Sequence, residues 1–368
     1  MLETLQNLDW NFKSSTNKEK IHRIHPYPAK FIPDIPSQLI DELGCPNGVV
    51  LDPFCGSGTT LNVAQNKGFK AIGVDLNPIA CLISKVKTSS LDNTFTKASI
   101  DVVSHAKSLS VDLSEVSDIP NIDHWFKPEI QKNILSLRES INVYKDEPSI
   151  FDPMRVALSS ILVRVSNQDS DTRYAAVDKN LSPESVYKLF ETTCRNFMAS
   201  LNQSDQLPNV KVINKDILKT TKEDINSEVG LVVTSPPYPN AYEYWLYHKY
   251  RMFWLGFDPV KVKTQEIGAR AHFFKKNHHT PENFYHQMKG TLTLIDQVLI
   301  ADGYAAFVVG RSKIHGEIVD NAALIERAAA ELNFEIIGRF NRKMNASKKS
   351  FNPTHANIKE ETIVVLRK

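Results

Sequence analysis

The sequence has only four cysteines, Cys45, Cys55, Cys81 and Cys194, with no Cys-x-x-Cys pair and no His/Cys metal spacing. Isolated thiols of this kind exclude a disulfide framework and a structural zinc site, and they suit a reduced, cytoplasmic protein. The opening "MLETLQNLDWNFKSS" has no signal-peptide pattern, and no apolar run approaches the length of a membrane span, so no membrane partner is expected. Tandem repeats and low-complexity tracts are missing as well. Charge of one sign is not in excess: 44 Lys and Arg face 42 Asp and Glu, so any nucleic-acid face must be a local patch. The Gly-Lys-Ser/Thr ending of a phosphate loop does not occur, nor does a full Gly-x-Gly-x-x-Gly, which disfavours a dinucleotide.

What is present is ordinary globular material of 368 residues, with 42% hydrophobic and 23% charged side chains. "GVVLDPFCGSGTT" reads as a buried strand, a Gly-rich turn and a helix start. The helical spacing stops at Gly68, and "FKAIGVDLNP" is a second strand ending in Asp75. This strand–turn–helix–strand unit opens a doubly wound sheet. Alternation resumes with "NVKVINKDIL" and "GLVV", then a helix ending at Gly303, the strand "YAAFVVG", another helix, and two closing strands, "FEIIGRF" and "ETIVVLRK". No helix separates the last two, which predicts an antiparallel hairpin with a long basic loop. The expected fold is therefore an open, doubly wound α/β sheet with a C-terminal β-hairpin and a mostly helical insertion. Residues 1–90 and 208–368 form the sheet domain, and residues 91–207, of mostly helical periodicity, form the insertion.

Such a sheet binds ligands at the carboxyl ends of its strands, and every candidate site residue falls there. Gly56 and Gly58 let the backbone approach a ligand closely. Asp75 lies 17 residues beyond Gly58, where an acid can bind both hydroxyls of a ribose. A bland structural turn explains a lone Gly-x-Gly as well as a binding site does. The strand before it, the helix after it and the acid at the next strand end favour nucleoside binding. A nucleoside without phosphate fits best, and S-adenosylmethionine is one.

Residues 52–60, the segment "GVDLNP" and "TSPPY" at residues 234–238 closely resemble the amino-group DNA methyltransferases, particularly their N4-cytosine branch. The resemblance implies a fold of the class I methyltransferase type and the cofactor S-adenosylmethionine. It places cofactor contacts at Asp52, Phe54, Gly56, Gly58, Thr59, Thr60, Asp75 and Asn77, and catalysis at Ser235, Pro236, Pro237 and Tyr238. "HPYPAKFIP", residues 25–33, is similar to the segment that touches the methionine end of the cofactor in this family, which adds Tyr27 and Lys30. Asp216 ends the third strand, where this fold often contacts adenine; an ordinary exposed acid explains it equally well. No metal is implied.

The chemistry suits these residues. An exocyclic base amine is a poor nucleophile because its lone pair is delocalised into the ring. The Ser235 hydroxyl and the Pro236 carbonyl can each accept one amine N–H, favouring a pyramidal nitrogen. The two prolines stiffen the turn, and Tyr238 can stack on a base turned out of the duplex. Carbon-5 cytosine methylation would use a cysteine, typically in Pro-Cys, which this chain lacks.

For substrate contacts, "GARAHFFKKNHH" offers Arg270, Lys275 and Lys276 among aromatics, and "RFNRKMNASKKS" offers Arg342 and Lys343. Each stretch alone reads equally well as a solvated loop. The aromatics of "YEYWLYHKYRMFWLGF" are spaced like a packed helix, with Tyr242 nearest a base pocket. In the insertion, a natural place for target recognition, "SNQDSDTRYAA" is the most site-like stretch; its Arg173 could reach phosphate or guanine, but an ordinary salt bridge explains it better. The reading is site-specific methylation of cytosine N4 in double-stranded DNA by a bacterial or phage restriction-modification enzyme, nucleoid-associated and with a cognate restriction endonuclease as a possible partner. The alternatives are N6-adenine methylation, methylation of an RNA base amine, and a catalytically silent nucleic-acid-binding module. Ser at the first position of the Pro-Pro motif leans towards cytosine.

Overall fold

Short apolar runs of alternating or continuous burial form the strands of one seven-stranded sheet. In the computed structural model these are β1 (Val49–Asp52), β2 (Lys70–Asp75), β3 (Val210–Asn214), β4 (Val229–Thr234), β5 (Leu299–Gly310), β6 (Glu335–Lys343) and β7 (Glu360–Arg367). The structure describes residues 2–12, 20–28, 31–171, 173–201, 206–240, 242–274, 278–343 and 360–368. The spatial order is β3-β2-β1-β4-β5-β7-β6. All neighbours from β3 to β5 are parallel, whereas β7 runs antiparallel to both β5 and β6. This is the doubly wound sheet expected, and the closing pair is the expected hairpin, with its second strand inserted beside β5.

The period of two along each strand divides the sheet domain into two cores. Leu51, Val74, Val232 and Phe307 face helices α7 (Pro281–Val298) and α8 (Asn321–Glu331). Their neighbours Val50, Leu231, Val233 and Ala306 face the other way, onto Leu61 and Ala64 of α1 (Thr59–Asn66). The sequence places the end of α7 at Gly303, but the helix stops at Val298. Leu299 is already paired with Val229 of β4, so the sheet claims the segment "LIADG".

The insertion forms four long helices, α3 (Asn93–Ser108), α4 (Pro128–Asn142), α5 (Pro148–Val165) and α6 (Ser185–Met198). A two-stranded ribbon, Gln168–Ser170 with Arg173–Ala176, follows α5. Phe95, Ile134, Leu158 and Phe190 are buried in one cluster with Ile79, Leu82, Ile83 and Val86 of α2 (Pro78–Lys87) and with Trp254. The insertion thus shares a core with the sheet domain. Among the described residues no helix is long and apolar enough to cross a membrane.

Candidate active site at the switch point of the sheet

The chain reverses its winding between β1 and β4, and the two main motifs meet there. Asp52 closes β1. Its Oδ1 accepts the Phe54 N–H at 3.1 Å and the Thr234 hydroxyl at 2.6 Å. Thr234 closes β4, so this one carboxylate ties the Gly-rich turn after β1 to the residue before Ser235. Burial pushes the Asp52 carboxyl up to about 6, outweighing these hydrogen bonds.

The turn after β1 depends on missing side chains. Gly58 adopts φ +73°, and a Cβ there would lie 2.8 Å from Ser84 Oγ. Ser84 in turn donates to the Gly56 carbonyl at 2.8 Å. Thr59 and Thr60 are buried in the first turn of α1. The half-buried Asp75 accepts the Gly56 N–H on Oδ2 and the Asn77 N–H on Oδ1, both at 2.8 Å. Burial pushes this carboxyl up to about 6 as well. Each oxygen keeps a lone pair, so the group that fixes the turn can still meet a diol. Asn77 is engaged as the cap of α2, accepting the Ile79 N–H at 3.0 Å. Asp216 similarly caps the short helix Ile217–Lys219 beyond β3, half-buried, and accepts the Leu218 N–H at 3.0 Å.

Tyr27 is brought to the same place. Its hydroxyl would be 3.2 Å from a Cβ on Gly56, and its ring stacks on Tyr244 at 5.9 Å between centroids. Phe54 is half-buried beside the turn. Lys30 lies outside the described residues. The cradle of Tyr27, Phe54, Gly56 and Asp75, with carboxyl groups and backbone amides close together, fits a nucleoside cofactor. Among the described residues no group of three or more His, Cys, Asp or Glu side chains could hold a metal.

The Ser-Pro-Pro-Tyr turn follows β4. Pro236 is buried and Ser235, Pro237 and Tyr238 are half-buried. Ser235 Oγ lies 3.4 Å from the Tyr238 hydroxyl, which donates to Glu361 Oε1 at 2.8 Å. The next loop leans on this turn without a side chain between: a Cβ on Gly268, at φ +75°, would be 3.0 Å from the Tyr238 carbonyl. The Gly268 carbonyl accepts the Asn240 N–H at 2.9 Å. Glu266 accepts the Tyr244 and Trp245 N–H groups at 2.9 and 2.7 Å, and burial pushes it up to about 8 against them. It thereby fixes the start of the Tyr244–Tyr247 helix and the ring on which Tyr27 stacks. The Tyr242 ring lies 6.0 Å from the Tyr244 ring, between centroids. Glu266, Tyr244 and Glu361 carry no spacing signal that would have singled them out, and Thr234, though part of the "TSPPY" segment, shows no sign in the sequence of its bond to Asp52.

The basic candidates separate. Arg270 sits over the Phe274 ring at 5.1 Å. Lys343 is exposed. Lys275 and Lys276 lie outside the described residues. Arg342 is a correction: it is only 8% exposed, and its Nη1 pairs with Glu361 Oε2 at 2.6 Å. Successive strand residues point to opposite faces, so Arg342 and Lys343 cannot both serve an outer surface. Arg173, on the ribbon, is 73% exposed, with Asp169 at 3.8 Å.

Comparison with known proteins agrees in kind. Residues 3–86 match the family model described as DNA methylase. The chain is 28% identical over 254 residues to the Type II methyltransferase M.MvaI of Kocuria varians, covering 62% of this chain and 56% of that protein. It is 23% identical over 303 residues to M.BsoBI of Geobacillus stearothermophilus, covering 71% and 57%. A shorter match, 34% over 122 residues, links it to M.MjaII of Methanocaldococcus jannaschii, covering 32% and 23%. The chain spans a little over half the length of the first two relatives. By family model over its first part and by relatives over most of its length, the chain is similar to DNA methylases, the resemblance its motifs implied.

Proposed function

We propose that the chain is a site-specific DNA methyltransferase that uses S-adenosylmethionine to methylate an exocyclic base amine, with cytosine N4 as the target. The single observation that carries this reading is the 2.6 Å bond between Thr234 and Asp52, which joins a nucleoside-type turn to a Ser-Pro-Pro-Tyr turn at one switch point. When bound, the cofactor supplies an electrophilic methyl group. The chain's own residues do the rest. Asp75 binds the ribose hydroxyls, and Tyr27 and Phe54 flank the nucleoside. Ser235 Oγ and the Pro236 carbonyl each accept one N–H of the target amine, so that its lone pair points at the methyl group. Pro236 and Pro237 hold both acceptors in place without reorganisation. Tyr238 presents its ring to a base extruded from the duplex. Arg270 and Lys343 belong to the phosphate-contacting surface, and Arg173 marks the insertion as the region that reads sequence. The Type II methyltransferase relatives support a restriction-modification setting, in which a cognate restriction endonuclease would be the partner.

The test is transfer from labelled cofactor to plasmid DNA, followed by digestion to nucleosides. Label in N4-methylcytidine supports the reading. Label in N6-methyladenine moves the target to adenine, and transfer to RNA alone removes DNA as substrate. Ser235→Ala should slow turnover while sparing cofactor affinity.

A further inference from the structure

Ser235 has a requirement that its own turn cannot meet. To accept an amine N–H it must direct its own proton elsewhere, because a hydroxyl is donor and acceptor at once. The structure offers a place for that proton. Tyr238 Oη lies 3.4 Å from Ser235 Oγ, a separation typical of unliganded catalytic contacts that shorten in the reactive complex. Tyr238 has one proton of its own and two acceptors to choose from: the Val308 carbonyl at 3.5 Å and Glu361 Oε1 at 2.8 Å. The nearer acceptor takes it. Glu361 is a carboxylate ion-paired through Oε2 with Arg342 at 2.6 Å, and a carboxylate can only accept. Arg342 is held in turn by its Nε bond to the Trp10 carbonyl at 3.2 Å and by its place directly across from Glu361 in the β6–β7 ladder.

We propose that Glu361 is a positioning residue for methyl transfer that sets the direction of a short hydrogen-bond relay, from Ser235 to Tyr238 to Glu361. With its proton committed to Glu361, the Tyr238 oxygen is left as an acceptor. The Ser235 hydroxyl then donates to Tyr238, and the remaining Ser235 lone pairs face the target amine. No proton is transferred and no bond to carbon is made by the relay; it fixes which atoms donate. The inference rests on the proposed role of Ser235 as acceptor of the amine.

Two measurements test it. The first is independent of turnover: tyrosines labelled with carbon-13 at the ring carbon bearing the hydroxyl, with the Tyr238 signal identified by its loss in Tyr238→Phe. Glu361→Gln and Ser235→Ala should each move that one signal. An unmoved signal in either variant overturns the relay. The second is single-turnover methylation of plasmid DNA beside the affinity for S-adenosylmethionine. Glu361→Gln and Tyr238→Phe should slow transfer by up to about 100-fold with cofactor affinity unchanged. The double variant should be no slower than Tyr238→Phe alone. A further loss in the double variant shows that Glu361 acts by some other route and overturns the proposal. If the unmodified protein transfers no methyl group to DNA, the functional reading fails, while the tyrosine signal still decides whether the relay exists.

Discussion

Two kinds of residue hold the Gly-rich turn after β1: one that must have no side chain and one whose charge is expensive. Gly58→Ala forces a Cβ into a left-handed backbone and against Ser84, and should cost about 1–3 kcal/mol in urea denaturation. A stability equal to that of the unmodified protein would show that the turn relaxes. Asp75 carries a pH prediction with two opposite signs. Its carboxyl rises from the ordinary 3.8 to about 6 by burial. In the protein without cofactor, the stability linked to this shift is complete below about pH 4 and is lost as pH rises through about 6. Under the ribose-binding role proposed for Asp75, cofactor affinity runs the other way, because a protonated carboxyl accepts less well from a diol. Titrations from pH 5 to 8 should therefore show binding that weakens as pH falls through about 6, and Asp75→Asn should flatten both trends. The tight turn at Gly58 and the strand-end position of Asp75 were legible in the sequence because the strand–turn–helix unit that sets them is local. Glu266 and Glu361 were not. Glu361 meets Tyr238 across 123 positions, and only the order of strands in the sheet brings them together.

At the scale of elements, the alternation of a strand sorts the basic residues that look equivalent in the sequence. Arg342→Ala leaves the Glu361 carboxylate enclosed without its cation and should cost about 3–5 kcal/mol. Lys343→Ala, one residue on and exposed, should change stability by no more than about 0.5 kcal/mol while weakening DNA binding at low salt. Thermal melts of both variants check the pair; equal losses would mean that both side chains are structural. The sequence could not separate them, because no strand period was evident until β6 was seen to extend to Lys343. The aromatic run after the catalytic turn was likewise read as one packed helix. It is two short ones, Tyr244–Tyr247 and Lys249–Trp254, broken at the buried His248, and the break lets Tyr244 face Tyr27.

At the scale of the molecule, the insertion was legible as helical from its periodicity, and its position between β2 and β3 was evident from where the strands resume. Its share in the core was not, because side chains that meet across 50 or more residues leave no local pattern. Ile79, Leu82, Ile83 and Val86 are each no more than 5% exposed, against the insertion helices. Baring those four would cost roughly 6–12 kcal/mol, which is comparable to the whole net stability of a domain. A variant lacking residues 91–207 should therefore be insoluble. Soluble, cofactor-binding protein from that deletion would show the insertion to be an independent unit.

The position of β7 has a consequence in time as well as in space. It lies inside the sheet, between β5 and β6, and it carries Glu361. A ribosome delivers Ser235 and Tyr238 long before it delivers Glu361, to which the Tyr238 hydroxyl donates. The emerging chain can fold its Gly-rich turn early, but the Tyr238 hydroxyl lacks its carboxylate acceptor until β7 enters the gap left for it. During synthesis, then, the capacity to bind cofactor should appear before the capacity to transfer a methyl group, separated by the last strand to enter the sheet.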